Sequence, residues 1–318
     1  MKKIKIADGL ELSWLALGEC RRGDPDAQAG AFAIMDRYRE LGGDTFDSAR
    51  MYHDGGSDRA MGEWMRSRKV ERDDIVIVTK GSHNAPSSWI TTRLTPEEIE
   101  RDLDESLSFM GIAHSDLHLL HRDDIRIPVE RIVPALSGLV AKGKARAVGV
   151  SNWTVGRIIQ ANQFALENGF EPIRCSQLLG GLALTTSAMS GDLTHIVMND
   201  VEFGWYRESR LPLMCFGAQA RGWFAARAAG REPKPSPQKF YDPLPENYRR
   251  LARLERLSGK LGRSFGALTA AYARDRGLNA CVLSSFSSPW QLEEAFEAET
   301  FTLTPGEIKY LETGLGTC

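Results

Sequence analysis

The sequence predicts an α/β fold, a (β/α)8 TIM barrel with an N-terminal β-hairpin, on the strength of three observations. Eight short apolar segments alternate with segments of helical periodicity from Leu15 onwards. Several of these apolar segments end in titratable residues, as expected where barrel strands open onto a site. The turn Leu17-Gly18-Glu19-Cys20 lacks the G-x-G-x-x-G pattern of an open dinucleotide-binding sheet. We therefore expect a single barrel domain over residues 1–318.

Alternating hydropathy on both sides of Ala7-Asp8-Gly9 predicts the hairpin. The eight barrel strands are short, and continuous β-branched runs among them are typical of strands covered on both faces. The predicted strands are Leu15–Gly18, Thr45–Ala49, Asp74–Lys80, Leu117–Leu120, Ala147–Val150, Ile173–Leu178, Leu211–Phe216 and Ala280–Leu283.

Helical periodicity fills most of the intervals between these strands. Thr95-Pro96-Glu97-Glu98 is a capping box with proline at the first helical position. Glycine, proline and charged residues between Ala218 and Pro245 predict a long loop. The predicted helices are Ala27–Leu41, Ser57–Ser67, Thr95–Met110, Val129–Ala141, Thr154–Glu167, Leu193–Ser209, Glu246–Gly259, Arg263–Arg276 and Trp290–Ala298, with a last one opening at Thr304.

The composition bounds the class of protein. A formal net charge of -2 argues against a nucleic-acid partner. The five cysteines are scattered without C-x-x-C pairing, which indicates small core residues in a reducing compartment. No apolar run approaches the ~20 residues that cross a bilayer, and the start is too polar for a signal peptide. We expect a soluble, cytoplasmic protein without a membrane partner, whose oligomeric state stays open.

Asp47 and Tyr52 point to acid–base chemistry at one strand end. Tyrosine, with a free pKa of about 10, is a poor proton donor near neutrality. An adjacent ammonium favours the phenolate, and a buried ammonium needs a carboxylate partner. Lys80 ends the next predicted strand. We therefore expect Lys80 to lie near both Asp47 and Tyr52.

Over nearly its whole length the chain resembles the aldo-keto reductase family. Any one of the motifs that carry the resemblance is weak, but five of them occur in order at the expected strand ends. They are Asp47-Ser48-Ala49 with Tyr52, Lys80 in the third strand, Leu120-His121-Arg122-Asp123-Asp124, Gly149-Val150-Ser151-Asn152, and Gln177.

The resemblance implies reduction of an aldehyde or ketone. The cofactor that it implies is NADP, with NAD as the alternative. It implies a catalytic tetrad of Asp47, Tyr52, Lys80 and His121. Tyr52 would protonate the carbonyl oxygen as hydride arrives, and Lys80, paired with Asp47, would lower the pKa of the phenol. His121 would orient the carbonyl group or assist the proton transfer.

The resemblance also implies a nicotinamide site. Ser151, Asn152 and Gln177 would bond the carboxamide, which needs polar partners in an otherwise apolar pocket. The family commonly stacks a tyrosine on the nicotinamide after the seventh strand, where this chain offers Phe216. Stacking needs only the ring, so we expect little loss.

The segment after the eighth strand departs from the family. Ser284-Ser285-Phe286-Ser287-Ser288 has neither the usual glycine nor the lysine or arginine that often meets the adenosine phosphate. Ser285, Ser287 and Gln291 are the polar candidates that remain for the phosphate end. Glu294 matches a position that usually bonds the adenine amino group.

A cation for the adenosine phosphate would have to come from another segment. Arg221 and Arg274 are the two candidates. The basic run Arg221–Lys239 is most simply a solvated loop, although cofactor phosphates could draw on it.

Each candidate also has an ordinary structural interpretation. Asp47 alone could cap a helix or lie in a loop, and His121 alone is more often a core histidine. Ser151 and Asn152 could cap the helix at Thr154. The pocket-lining role that we consider for Arg21, Arg22, Met51, His83 and Trp89 is no more probable than an ordinary loop position.

Two other functions compete with the reductase. A cofactor-binding regulatory subunit with vestigial catalysis would share this fold, but the tetrad here is intact. A metal-dependent barrel hydrolase needs an H-x-H in the first strand, and no such pair occurs, so we expect no metal site. The polar segment Gly81–Leu94 favours a small-molecule carbonyl substrate that carries hydroxyl groups, such as a sugar derivative.

Overall fold

Eight parallel strands close into a barrel, and a two-stranded antiparallel hairpin precedes them. The computed structural model describes residues 1–18, 25–84 and 93–317, with the backbone alone at positions 25 and 26. Strand order around the barrel follows the chain, and the last strand pairs with the first. The predicted (β/α)8 barrel with its N-terminal hairpin is confirmed.

The strands agree closely with the predicted ones. The hairpin consists of β1 (Lys3–Ala7) and β2 (Leu10–Ser13). The barrel strands are β3 (Leu15–Gly18), β4 (Thr45–Asp47), β5 (Val76–Gly81), β6 (Ser115–Leu120), β7 (Ala145–Ser151), β8 (Cys175–Leu179), β9 (Leu213–Phe216) and β10 (Ala280–Ser284).

Helices surround the barrel and also fill the loops at its C-terminal rim. They are α1 (Pro25–Glu40), α2 (Gly56–Arg68), α3 (Pro96–Met110), α4 (Val129–Ala141), α5 (Val155–Asn168), α6 (Ser187–Ser190), α7 (Asp200–Ser209), α8 (Trp223–Ala228), α9 (Pro235–Tyr241), α10 (Pro245–Leu261), α11 (Phe265–Asp275), α12 (Pro289–Phe296) and α13 (Pro305–Thr313). Single 3-10 turns occupy Arg72–Asp74, Ala220–Gly222 and Glu297–Thr300.

Parallel pairing brings the C-terminal strand ends to one rim. Asp47 pairs with Gly18 on one side and with Val78 on the other. Further round the barrel, Ser151 pairs with Gln177. The polar residues that end these strands therefore meet at the same mouth, where barrel proteins carry their chemistry.

The barrel interior is a packed apolar core that extends to the hairpin. Leu12 of the hairpin belongs to the same buried cluster as Val78 and Leu119 of the barrel, so the hairpin closes the N-terminal end. Gly149 shows how close the strands approach each other. A Cβ at this position would lie 2.4 Å from the carbonyl oxygen of Cys175, which explains the glycine in the Gly149–Asn152 motif.

The predicted helix Leu193–Ser209 is wrong in its first half. Only α7, from Asp200, is helical, and the side chain of Asn199 caps it by accepting hydrogen bonds from the amides of Val201 and Glu202. Upstream, Val197 forms an isolated bridge with Leu179. Tertiary pairing thus overrides the helical periodicity of that segment.

The predicted loop Ala218–Pro245 is also wrong, because it contains α8 and α9. Trp223 and Tyr241 are buried there, and Nε1 of Trp223 donates a hydrogen bond to Asp242 at 2.7 Å. The aromatic residues of this segment, overlooked among its glycines and prolines, form a small core of their own.

Candidate active site

A buried ion pair lies at the centre of the mouth. Asp47 ends β4, Lys80 lies near the end of β5, and Nζ of Lys80 donates a hydrogen bond to Oδ2 of Asp47. Gln177 donates from Nε2 to Oδ1 of the same carboxylate at 3.0 Å. Burial by itself lowers the pKa of Lys80, but the charge of the Asp47 carboxylate and hydrogen bonds with Asp47 and Tyr52 raise it above its ordinary value. The side chain is therefore an ammonium ion.

Tyr52 lies beside this ion pair. The Lys80 Nζ atom is 5.0 Å from the centroid of the Tyr52 ring. The ring of His121 contacts Tyr52 from another side, with the two centroids 5.6 Å apart and the planes at 82°. The four predicted catalytic residues are thus brought together at three neighbouring strand ends.

His121 is held neutral in this cluster. It follows β6 directly, and its backbone amide donates a hydrogen bond to the carbonyl oxygen of Gly81 at 2.8 Å. Burial, reinforced by the charges of Arg122 and Lys80, holds the pKa of His121 well below its ordinary value of 6.5. Within the described part of the chain, Nδ1 of His121 is buried without a hydrogen-bond partner.

Ser151 and Asn152 form the wall next to Gln177. The Ser151 hydroxyl donates to the carbonyl oxygen of Gln177 at 3.1 Å, and the Asn152 amide nitrogen donates to the Ser151 Oγ at 2.9 Å. Helix α5 is capped by Thr154, whose side chain accepts a hydrogen bond from the amide of Arg157. Ser151 and Asn152 therefore do not serve as the helix cap.

A large cavity of about 960 Å³ opens over these residues. Lys80 lies behind the wall, while the other predicted site residues line the cavity. The predicted site residues that line the cavity are Asp47, Tyr52, His121, Ser151, Asn152, Gln177, Phe216, Arg221, Ser285, Ser287, Gln291 and Glu294.

The segment after β9 supplies cationic side chains to the cavity. Arg221 lies in the 3-10 turn and Lys234 directly precedes α9, and both line the cavity. Nη1 of Arg221 donates to the Ser236 hydroxyl at 3.1 Å, and its guanidinium carbon lies 4.1 Å from the centroid of the Phe240 ring. Lys234 and Ser236 belong to the basic run Arg221–Lys239, for which the sequence favoured a solvated loop and left phosphate binding as the alternative.

The far part of the cavity is formed by the segment after β10 and by α12. The Ser287 amide donates to Oε1 of Gln291 at 2.9 Å, which fixes that side chain across the turn. Burial, and to a smaller extent the nearby Glu297, raise the pKa of Glu294. Among the described residues 284–294 there is no basic side chain, as the sequence already showed.

Arg274 is wrong as a candidate for the cofactor phosphate. Its guanidinium is buried and bonded to the Asp275 carboxylate and to the carbonyl oxygens of Ala298 and Phe301. These bonds join α11 to the segment after α12. The arginine is therefore structural.

Some of the possible pocket residues can be placed and others cannot. Met51 and His83 line the cavity. Arg21, Arg22 and Trp89 lie outside the described residues.

Sequence reasoning missed a buried polar clamp at the edge of the cavity. Nη2 of Arg122 donates to Oδ2 of Asp192 at 2.8 Å and to Nε2 of His195 at 3.1 Å, while Nη1 donates to the carbonyl oxygen of His121 at 2.8 Å. Although burial opposes it, the hydrogen bond from Thr194 and the charge of Arg122 lower the pKa of Asp192 to about 2. The available signal was Arg122 itself, since a charged residue next to a buried strand end needs a partner.

This clamp gives a pH prediction for stability. The pKa of Asp192 lies below its unfolded value of about 3.9, so ionisation of Asp192 stabilises the fold above that pH. We expect Asp192→Asn to lower the midpoint of urea unfolding at pH 7. The difference from wild type should shrink as the pH falls from about 4 to about 2, because Asp192 becomes protonated in the folded protein. An equal difference at every pH would contradict the ionised clamp.

The described residues contain neither a candidate membrane span nor a candidate metal site. No described helix has the length and apolar character to span a membrane. Within residues 1–18, 25–84 and 93–317, no three or more His, Cys, Asp or Glu side chains are grouped so that they could hold a metal ion.

The fold and the site define a class: a parallel barrel with a lysine–carboxylate pair, a tyrosine and a neutral histidine at the mouth of a ligand-sized cavity. The family model of the Aldo/keto reductase family matches residues 15–314, and the chain belongs to this family of oxidoreductases, which generally use NAD(P)H.

The curated proteins to which this chain is similar include reductases and a putative channel subunit. Norsolorinic acid reductase B of Aspergillus parasiticus is 31% identical over 181 residues, which are 53% of this chain and 47% of the relative. The 6-dehydroglucose reductase of Agrobacterium fabrum is 32% identical over 207 residues, 62% of this chain and 67% of the relative. A putative voltage-gated potassium channel subunit beta of Schizosaccharomyces pombe is 34% identical over 127 residues, 40% and 37% of the two chains. The match thus spans less than half of the first and third relatives.

Proposed function

We propose that this protein reduces aldehydes or ketones, sugar-derived ones among them, to alcohols with NADPH or NADH, and that Tyr52 is the general acid. The observation that carries the proposal is the position of Tyr52 between the buried Lys80–Asp47 pair and the ring of His121. Tyrosine can donate a proton at neutral pH when a cation stabilises the phenolate that it leaves.

Tyr52, Lys80 and His121 have separate roles in the proposed reduction. When bound, the nicotinamide supplies hydride to the carbonyl carbon. Tyr52 donates its proton to the carbonyl oxygen, and Lys80, held as an ammonium by Asp47, stabilises the phenolate. His121, neutral at physiological pH, donates a hydrogen bond that orients the same oxygen. Tyr52 then regains its proton from solvent through the open cavity.

The side chains that line the cavity are chemically suited to bind a nicotinamide dinucleotide. The hydroxyl and amide side chains of Ser151, Asn152 and Gln177 suit the carboxamide, and the ring of Phe216 offers a stacking surface. Arg221 and Lys234 suit phosphate groups.

The phosphate end gives a prediction about cofactor choice. Ser285, Ser287 and Gln291 are neutral, and neutral hydrogen bonds are roughly half as strong as charge-assisted ones. We expect NADPH to bind, with weak discrimination against NADH. Fluorescence titration with both cofactors measures this ratio, and a preference for NADPH beyond about a hundredfold, ~2.7 kcal/mol, would contradict it.

Arg221→Met and Lys234→Met refine that titration. If these cations serve the phosphates shared by both cofactors, each variant weakens NADPH and NADH binding equally. If one of them meets the adenosine phosphate, its variant weakens NADPH alone. Lys142→Met, which removes a surface lysine paired with Glu100, is the control.

A regulatory role is the second candidate, because one relative is described as a putative potassium channel subunit beta. The intact set of Asp47, Tyr52, Lys80 and His121 favours the enzyme. The deciding experiment is a screen of aldehydes and ketones with purified protein, following oxidation of NADPH and of NADH. Tight cofactor binding without turnover of any carbonyl compound would favour the regulatory role.

We also infer a reducing compartment such as the cytoplasm. Cys175, Cys215 and Cys281 are free and buried. Their thiols act as small apolar core residues, which is typical of proteins that carry no structural disulfides.

A further inference from the structure

His83 is a cavity residue for which the proposed chemistry gives no role. It lies just past the end of β5, three residues after Lys80, and lines the same cavity as His121. The turn that presents it is anchored from outside the barrel. The amide of Ser82, whose φ is 61°, donates to Oδ2 of the buried Asp102 at 2.8 Å.

A hydrogen bond at Nδ1 of His83 fixes which of its ring nitrogens carries the proton. Nδ1 lies 3.0 Å from the carbonyl oxygen of Asn84. A carbonyl oxygen can only accept, so Nδ1 donates and Nε2 keeps its lone pair. Burial and the charge of Arg122 lower the pKa of His83, which keeps the ring neutral near pH 7. His83 therefore offers a hydrogen-bond acceptor to a molecule in the cavity.

The third histidine of the cavity has no free nitrogen. Arginine can only donate, so Nε2 of His195 accepts from Arg122 and its Nδ1 donates to the Ser190 hydroxyl at 2.9 Å. His195 thus contributes ring surface beside Phe216, with the two centroids 6.0 Å apart. His83, in contrast, presents a nitrogen with a lone pair that can accept a hydrogen bond.

His83 is adjacent to the residue that orients the carbonyl group. The rings of His83 and His121 lie 4.8 Å apart between centroids, with their planes at 81°. A carbonyl oxygen bound by Tyr52 and His121 is an acceptor, so its partners must donate. A hydroxyl on the next carbon lies beside that oxygen and has a proton to donate, which matches the lone pair on His83.

We propose that His83 accepts a hydrogen bond from a substrate hydroxyl on the carbon next to the carbonyl group, so that the site prefers 2-hydroxyaldehydes and 2-hydroxyketones. This inference rests on the proposed reductase function and adds a specificity-determining residue to it. The preference arises because the unsubstituted compound leaves Nε2 of His83 desolvated and without a partner.

The test compares 2-hydroxypropanal, 2-methoxypropanal and propanal as substrates of wild type, His83→Leu and His83→Gln. The methoxy compound keeps the electron withdrawal of the oxygen and lacks the proton, so it separates hydrogen bonding from reactivity. We expect wild type to favour 2-hydroxypropanal over the other two by about tenfold in kcat/KM. His83→Leu should abolish this preference while propanal turnover stays within about threefold of wild type.

Two further variants complete the design. His83→Gln retains an acceptor oxygen and should keep part of the preference. His114→Leu removes a histidine near the opposite end of the barrel and should keep all of it. Cofactor titration of each variant checks that it is folded.

The outcomes separate this inference from the function on which it rests. Equal kcat/KM for the hydroxy and methoxy compounds in wild type would overturn the role of His83 and leave the reductase standing, even if no His83 variant folds. An unchanged preference in His83→Leu would overturn it as well. Failure of every aldehyde with both cofactors would instead contradict the reductase function, and the inference would fall with it.

Discussion

Tyr52→Phe is expected to reduce kcat by about 10²–10⁴-fold while cofactor affinity and stability stay close to those of wild type. The substitution removes only the phenolic hydroxyl, and the ring keeps its contacts with His121 and Lys80. Steady-state kinetics with an accepted aldehyde and fluorescence titration of the cofactor measure the two quantities separately.

Tyr248→Phe is the matched control for this loss. Its hydroxyl donates to Asp242 at 3.0 Å on the partly exposed face of α10. The control should leave kcat unchanged. If Tyr52→Phe kept turnover within about threefold of wild type, Tyr52 could not be the general acid.

Lys80→Met is expected to abolish most activity and to lower the free energy of unfolding by about 3–5 kcal/mol. The variant leaves the Asp47 carboxylate buried without its cation, and Tyr52 loses the charge that stabilises its phenolate. Urea unfolding measures the first effect and steady-state kinetics the second. A fully stable and fully active variant would show that the ion pair has neither role.

Two companion variants separate these effects. Lys144→Met breaks a partly exposed pair with Glu100 and Asp104 and should cost at most about 1 kcal/mol. Adding Asp47→Asn to Lys80→Met removes the unpaired charge, so stability should partly return. Activity should not return, because the cation is still missing.

The fold was predictable because the strand signals are local and strong. The β-branched run that contains β5 and the capping box at Thr95 each suffice to define an element, and the order of the elements then requires a barrel. The clustering of Asp47, Tyr52, Lys80 and His121 was predictable because all four lie at or shortly after the ends of β4, β5 and β6, and parallel strands bring these ends together.

Other parts of the site depend on contacts between distant segments, which periodicity does not encode. The clamp joins Arg122 to Asp192 and His195, about seventy residues away in the chain. The segment from Ala218 to Pro245 folds around Trp223 and Tyr241, whose burial only the tertiary structure reveals. Arg274 looked available for a phosphate, because nothing in its sequence context shows the carbonyl groups that bind it.

The most direct test of the central claim follows a deuterium atom. Purified protein is incubated with an aldehyde and with nicotinamide cofactor that carries deuterium at the transferable position, and the alcohol is analysed by mass spectrometry. The proposed reduction predicts one deuterium per molecule of alcohol, bound to the former carbonyl carbon. In Tyr52→Phe the rate at which this labelled alcohol forms should fall about 10²–10⁴-fold. Unlabelled alcohol, or none from a broad panel of aldehydes and ketones, would contradict the claim that this barrel is a reductase.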